Sequence, residues 1–352
     1  MVVLKKRDSN VELLRLVSMF LVLVAHASYV SLGPPSHADI YNSFWSSLLR
    51  ALSESFSEVC VNIFILISGW YGIKVKTIRF VELIFQVLFV SIFIYMTMRV
   101  LGRVQSMNVN GWIELLLIKH RDYWYVKAYI ILYLFAPVLN TFVENVGRKQ
   151  LKSFLIAFFV VQVIYGVYHY GSWYAGGYSP LSFMGLYLLA RYMRTYPNRY
   201  TQFNKHVDFI LYLIISLFTA VSSLSLAYIF DKGGTVLFLY SSPFVILSSV
   251  FSFLFFTKLS FQNHFINGIA VSCFAVYLIH TSPFIFHIYY IDVIRYWYET
   301  ESRIPFLLYT SGLIVIFFVF SIGFDKVRIL VWNTLLYLIK HCKNSYYGTT
   351  NR

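Results

Sequence analysis

Residues 11–32 read VELLRLVSMFLVLVAHASYVSL, and this stretch decides the fold. It exceeds the ~20 residues that an α-helix needs to cross about 30 Å of hydrocarbon. Apolar residues run through it without the alternation of a barrel strand. In lipid each backbone polar group must be paired within its own segment, so the run is read as a helix. A cleavable leader is not expected. Lys5, Lys6 and Arg7 precede the run as they would a leader, but no small-residue cleavage site follows, and Glu12, Arg15 and His26 lie inside it.

The same texture extends outward along the chain. Ten apolar stretches are expected to span, at roughly 11–32, 52–72, 80–101, 123–142, 152–169, 180–195, 208–230, 236–257, 267–289 and 304–323. The fifth and sixth are the weakest, with Gly166, Gly171, Gly176, Gly177 and Pro180 crowding their link. Composition agrees: 59% of the 352 residues are apolar and 12% are charged, against a globular average of about 25% charged. A disordered chain is excluded by that hydrophobicity. A soluble enzyme is disfavoured, because too few charges remain to cover its surface.

The charge is lopsided, with 29 Lys and Arg against 15 Asp and Glu, or +14 net. In a soluble chain this would suggest nucleic acid. In a membrane protein basic residues mark the cytoplasmic loops. With the N-terminus cytoplasmic, 19 of the 29 fall on that side, including the clusters Lys74, Lys76, Arg79 and Arg148, Lys149, Lys152. Arg50, Lys119, Arg121 and Lys232 are among those left outside. The expectation is therefore an all-α integral membrane protein of about ten transmembrane helices, both termini cytoplasmic, with no nucleic-acid partner. Residues 1–325 are expected to form one polytopic domain. Residues 326–352 are expected to be a basic amphipathic tail on the inner leaflet, since an eleventh span at 326–341 would be short. Cys60, Cys273 and Cys342 are scattered and form no CxxC pair.

Ionisable groups inside a span are costly and call for a functional hypothesis. Arg15 and His26 are 11 residues apart, three helical turns, which puts them on one face about 16 Å apart along the axis. The blander alternatives are an Arg15 that snorkels to headgroups and a His26 that packs against a neighbouring helix. Glu12, at i and i+3 from Arg15, is placed to pair with it, or merely to sit at the positive end of the helix dipole. The second span ends in Ser68-Gly69-Trp70, a pair that allows close helix approach. With Lys74, Lys76 and Arg79 it also suggests a phosphate-binding entrance. Trp124, Tyr125 and Trp173 fall at predicted outer boundaries, as an aromatic belt or as a platform for a sugar ring. His37, His120, His169 and His287 fall in loops or at boundaries, and no spacing makes a metal site. There is neither a GxSxG elbow nor a Walker A loop.

Asn10-x-Glu12-x-x-Arg15, followed after ten residues by His26, resembles the opening signature of the membrane acyltransferase-3 family. Phe64 to Gly69 resembles its second motif, with Ile65 in place of the second aromatic. Lys76 and Arg79 meet the spacing of two arginines often found after it, although lysine gives up bidentate geometry at the first position. Trp124-Tyr125 with Tyr129, Tyr133 and Pro137 is similar to the fourth-span pattern. Tyr277-Leu278-Ile279-His280 resembles a late motif ending in histidine. The likeness runs from residue 8 to about 325.

The resemblance implies a multi-pass protein of the bacterial inner membrane. Its donor would be acetyl-CoA or another acyl-CoA, reached from the cytoplasm. Its acceptor would be a hydroxyl of a cell-surface polysaccharide or a lipid-linked glycan precursor. Acyl transfer to an alcohol needs a base, and neutral imidazole suits that task. His26 and Glu12 form the expected catalytic set, with Glu12 orienting Arg15. Arg15, Ser68, Gly69, Lys76 and Arg79 are expected to hold the donor. Trp124, Tyr125 and His280 are expected to contact the acceptor. The rival expectation is a transporter or flippase of glycan or lipid intermediates, which would show matched discontinuous helices in two repeats.

Overall fold

A computed structural model of the chain describes residues 7–116, 123–168, 173–230 and 233–349. His120, His169, Gly171, Lys5, Lys6, Lys119, Arg121, Lys232 and Arg352 lie outside the described residues. Helix α1 (Ser9–Ala25) runs on into a π-helical turn, His26–Val30. A short α2 (His37–Asn42) leads to α3 (Phe44–Ser57) and α4 (Val59–Tyr71), which meet at Glu58. Then come α5 (Thr77–Val100), α6 (Val109–Leu116), α7 (Trp124–Asn145), α8 (Arg148–Tyr168), α9 (Pro180–Thr195), α10 (Lys205–Phe230) and α11 (Pro243–Thr257). The chain closes with α12 (His264–Ala270), α13 (Cys273–His280), α14 (Asp292–Thr300) and α15 (Arg303–Thr349). The described residues hold no strand.

The protein is an all-α membrane protein, and eight of its segments are long and apolar enough to cross a bilayer. They are Ser9–Val30, Phe44–Tyr71, Thr77–Val100, Trp124–Asn145, Arg148–Gly166, Lys205–Phe230, Gly234–Thr257 and Arg303–His341. Eight of the ten expected stretches coincide with them. The other two fall on shorter helices. The stretch 180–195 is α9, which starts at a capping Ser179 and Pro180. The stretch expected at 267–289 is not one helix. It is α12 and α13, then a break at 281–285 around Pro283, then a π-helical turn from Phe286 to Ile291. Proline cannot donate to the helix ladder. Such a break is tolerated at membrane depth where protein rather than lipid surrounds the backbone. Here Thr281 and Ser282 are buried.

The core lies where α1, α4, α9 and α13 meet. Helix α4 is buried along most of its length. A Cβ on Gly69 would sit 2.4 Å from the Tyr187 carbonyl oxygen and 2.8 Å from Ala190 Cβ on α9. Gly69 thus lets two backbones touch, which is how helices associate without a hydrophobic drive. Helix α4 then stops at Gly72, whose φ of +70° a side chain rarely adopts.

The tail expected from 326 onward does not begin a new element. Helix α15 is unbroken across 325 and 326, 47 residues in all, or about 70 Å. Arg328, expected on an inner leaflet, is 2% exposed. Its guanidinium donates to both oxygens of the buried Asp325, at 2.8 and 2.9 Å, and Gln86 of α5 donates to the same carboxylate at 3.1 Å. A basic residue read as surface charge is instead neutralised inside the bundle, where it joins α15 to α5.

Candidate active site

A cavity of about 830 Å³ runs through the core. Its two ends are chemically different. Arg7, Arg15, Glu82 and Arg328 line one end, and His26, Glu54, Glu58 and Thr281 line the other. Ser68, Tyr129 and Cys273 line the cavity as well, Cys273 at the arginine end, where its Sγ donates to the Arg15 carbonyl at 3.3 Å. Helix α1 runs along the cavity and supplies both Arg15 and His26.

At the arginine end, Arg15 Nη1 donates to both oxygens of Glu12, at 3.0 and 3.1 Å. Arg7 Nη1 lies 3.6 Å from the same carboxylate. Glu12 is buried while the Arg15 side chain remains a third exposed. Glu12 therefore holds Arg15 and leaves part of its guanidinium open to the cavity. It is 14 residues, or about 21 Å along the helix, from His26. Glu12, grouped with His26 and expected to orient Arg15, is bonded to Arg15 and does not reach His26.

At the histidine end the hydrogen bonds fix a tautomer. His280 is fully buried, and its Nδ1 lies 2.7 Å from the Val276 carbonyl oxygen. A carbonyl only accepts, so in the neutral ring Nδ1 carries the hydrogen and Nε2 carries a lone pair. That Nε2 faces His26 Nδ1 at 2.9 Å. His26 Nδ1 must then donate, which leaves the lone pair of His26 Nε2 without a hydrogen bond among the described residues. The Phe286 ring packs edge-on against His26 at 5.1 Å, and Tyr290 donates to the Leu23 carbonyl at 2.7 Å from beneath. The π-helical turn begins at His26, and Ser31 Oγ donates to the His26 carbonyl at 2.7 Å. A widened turn of this kind re-aims a side chain and recurs at functional sites.

The other expected residues divide. Ser68 lines the cavity and donates to the Phe64 carbonyl at 2.9 Å. Gly69 faces α9 and is taken up by packing. Lys76 and Arg79 are exposed and do not line the cavity. The Lys76 backbone is fixed by Tyr133, whose hydroxyl accepts from its N–H at 2.9 Å. Trp124 and Tyr125 both line the cavity, where Trp124 stacks on Tyr240 and Tyr125 on Tyr129. Trp173 is 89% exposed and does not line the cavity.

Among the cavity residues that escaped the sequence reading are Glu54, Glu58, Glu82 and Arg328. For Glu54 and Glu58 the signal was available. Both lie within the expected second span, where the rule that singled out Arg15 and His26 applies equally. Arg328 had no such signal, because it fell beyond the last expected span.

A family model described as an acyltransferase domain matches residues 8–325. No curated protein and no solved structure matches the chain.

Proposed function

The chain belongs to the acyltransferase-3 family, whose activity is membrane acyl transfer, and from this premise we propose that it is an O-acyltransferase. It moves an acetyl or other short acyl group from acyl-CoA to a hydroxyl of a cell-surface polysaccharide or its lipid-linked precursor. The observation that carries the reading is the single cavity with Arg15 at one end and the open Nε2 of His26 at the other.

The donor enters from the Arg15 end. Its phosphate groups meet a guanidinium that stays ionised at any working pH. The ~16 Å to His26 along α1 is comparable to an extended pantetheine arm, so the thioester reaches the histidine end. His26 Nε2 takes the proton from the acceptor hydroxyl as its oxygen attacks the thioester carbonyl. His26 then carries a hydrogen on each nitrogen, and His280 Nε2 continues to accept from Nδ1. The C–S bond breaks, and the proton passes from His26 to the departing thiolate. CoA and the O-acyl glycan are the products. The relay behind His26 ends in a backbone carbonyl, so His280 orients the base and fixes its tautomer.

The test is acyl transfer by the purified full chain from labelled acetyl-CoA to glycan fragments of the host surface, for wild type and His26→Ala. Transfer by wild type and its loss in the variant are expected. Wild-type turnover in His26→Ala at equal abundance would sink the reading.

A further inference from the structure

Glu54 and Glu58 occupy the histidine end of the cavity, and the chemistry above gives them no task. They sit one turn apart where α3 meets α4, so their side chains share a face. Both are buried, Glu54 at 6% exposed and Glu58 at 5%. Neither has an ion-pair partner among the described residues; Glu58 is within hydrogen-bonding reach of Glu54 and of the Tyr240 side chain, whereas Glu54 Oε2 is buried with no hydrogen bond. A buried carboxylate oxygen left unsatisfied is costly and calls for an explanation.

The fold had a partner within reach and turned it away. Arg50 is four residues before Glu54 on α3, the spacing that favours a pair. Its guanidinium instead points to Asp39, at 3.7 Å, and donates to the carbonyls of Leu32, at 2.9 Å, and Gly33. The carboxylates are thus left facing a cavity that they share with His26. What they can accept is hydrogen, from hydroxyl groups that a ligand brings.

We propose that Glu54 and Glu58 anchor the acceptor beside His26, by accepting hydrogen bonds from hydroxyls that flank the one acylated, and that they thereby select an uncharged sugar over an acidic one. The inference rests on the transferase reading for what the sugar is doing there. The discrimination follows from charge. Sugar hydroxyls satisfy the open oxygen of Glu54 and the cavity side of Glu58. A sugar carboxylate or phosphate would bring a further acidic group against this pair in a desolvated space, where like charges repel strongly and no ion-pair partner among the described residues offsets them.

The experiment is isothermal titration of the detergent-purified full chain with two matched probe sets. One is a panel of neutral methyl hexopyranosides, and the other is the corresponding methyl hexuronides. Wild type is expected to bind at least one neutral glycoside and to bind its uronide at least about tenfold more weakly. Glu54→Gln and Glu58→Gln keep the side-chain shape. Each is expected to weaken the neutral glycoside about tenfold and to narrow the gap to the uronide. An unchanged elution volume and unfolding temperature report that the variants are folded. Equal preference for uronides in wild type overturns the proposal. So does neutral-sugar binding that is unchanged in both Gln variants, or no binding of any probe. Transfer from acetyl-CoA is scored separately. Sugar binding that depends on Glu54, with no acyl transfer by wild type, would sink the donor reading and leave the anchor standing. Transfer that is indifferent to both glutamates would do the reverse.

Discussion

The two ends of the cavity are built on opposite plans. At the histidine end each polar atom behind the reacting nitrogen has one partner in a fixed direction: Val276 carbonyl to His280, and His280 to His26. Phe286 and Tyr290 pack around that chain. At the arginine end the charges are shared. Glu12 serves Arg15 and Arg7, and Arg328 is divided between Asp325 and Glu82. The first plan fixes the direction of a lone pair to within a hydrogen bond. The second supplies positive groups that can exchange an internal carboxylate for an incoming phosphate. Rigidity at one end suits a chemical step, and exchangeable pairing at the other suits binding.

That contrast can be broken by kinetics, and the largest effect belongs to His26. Removing a general base typically costs 10²–10⁴-fold in rate. His26→Ala is expected to lower kcat by at least about 100-fold while leaving the KM for acetyl-CoA near wild type. A change confined to KM would mean that His26 binds rather than reacts. His280→Ala comes next. It removes the acceptor that dictates which His26 nitrogen is bare; partners that orient a metal-bound histidine are worth about 10–100-fold, and a loss on that scale is expected here. His280→Gln retains a side-chain oxygen to accept from His26 Nδ1 and is expected to recover part of the loss. Equal defects in the two variants would argue for a packing role only.

Arg15→Ala is the counterpart at the other end. Its expected signature is a KM for acetyl-CoA raised about tenfold or more, the scale of a lost hydrogen bond to a charged group, with kcat changed less. Should Arg15→Ala depress kcat as strongly as His26→Ala with KM unmoved, the division of labour between the ends would collapse.

How much of this was legible in the sequence depends on the kind of signal. Hydropathy located eight spans, because lipid imposes the same length and polarity on each crossing helix. Arg15 and His26 stood out because charge within such a run is rare. The break at 281–285 was not visible. A hydropathy window over 267–289 averages across Pro283 and cannot tell lipid from the buried surroundings that tolerate a broken helix. Gly69 was read both as a close helix contact and toward a ligand; the contact is there, but its partners, Tyr187 and Ala190, lie more than a hundred positions away and were not legible. Arg328 was counted as orientation charge because positive residues after a last span usually are. Only the three-dimensional pairing with Asp325 and Gln86 reveals it as buried. Distant partners defeat local patterns, and the missed residues are those whose partners lie on other helices.

The smallest expected effect concerns Lys76 and Arg79, and it is the most informative about the sequence reading. Both are exposed and outside the cavity. An exposed charge acts on a polyanionic donor chiefly through long-range attraction, which salt screens over about 8 Å at physiological ionic strength. Lys76→Ala and Arg79→Ala are therefore expected to raise the KM for acetyl-CoA by no more than about threefold at low salt, within the small range of exposed charge interactions. That effect should fade as salt increases. The Arg15→Ala defect should persist, since Arg15 acts by contact within a shielded cavity. A salt-resistant defect of tenfold or more in Arg79→Ala would place this loop against the donor itself. The arginine end would then extend past the cavity to the link between α4 and α5, as the motif spacing first suggested.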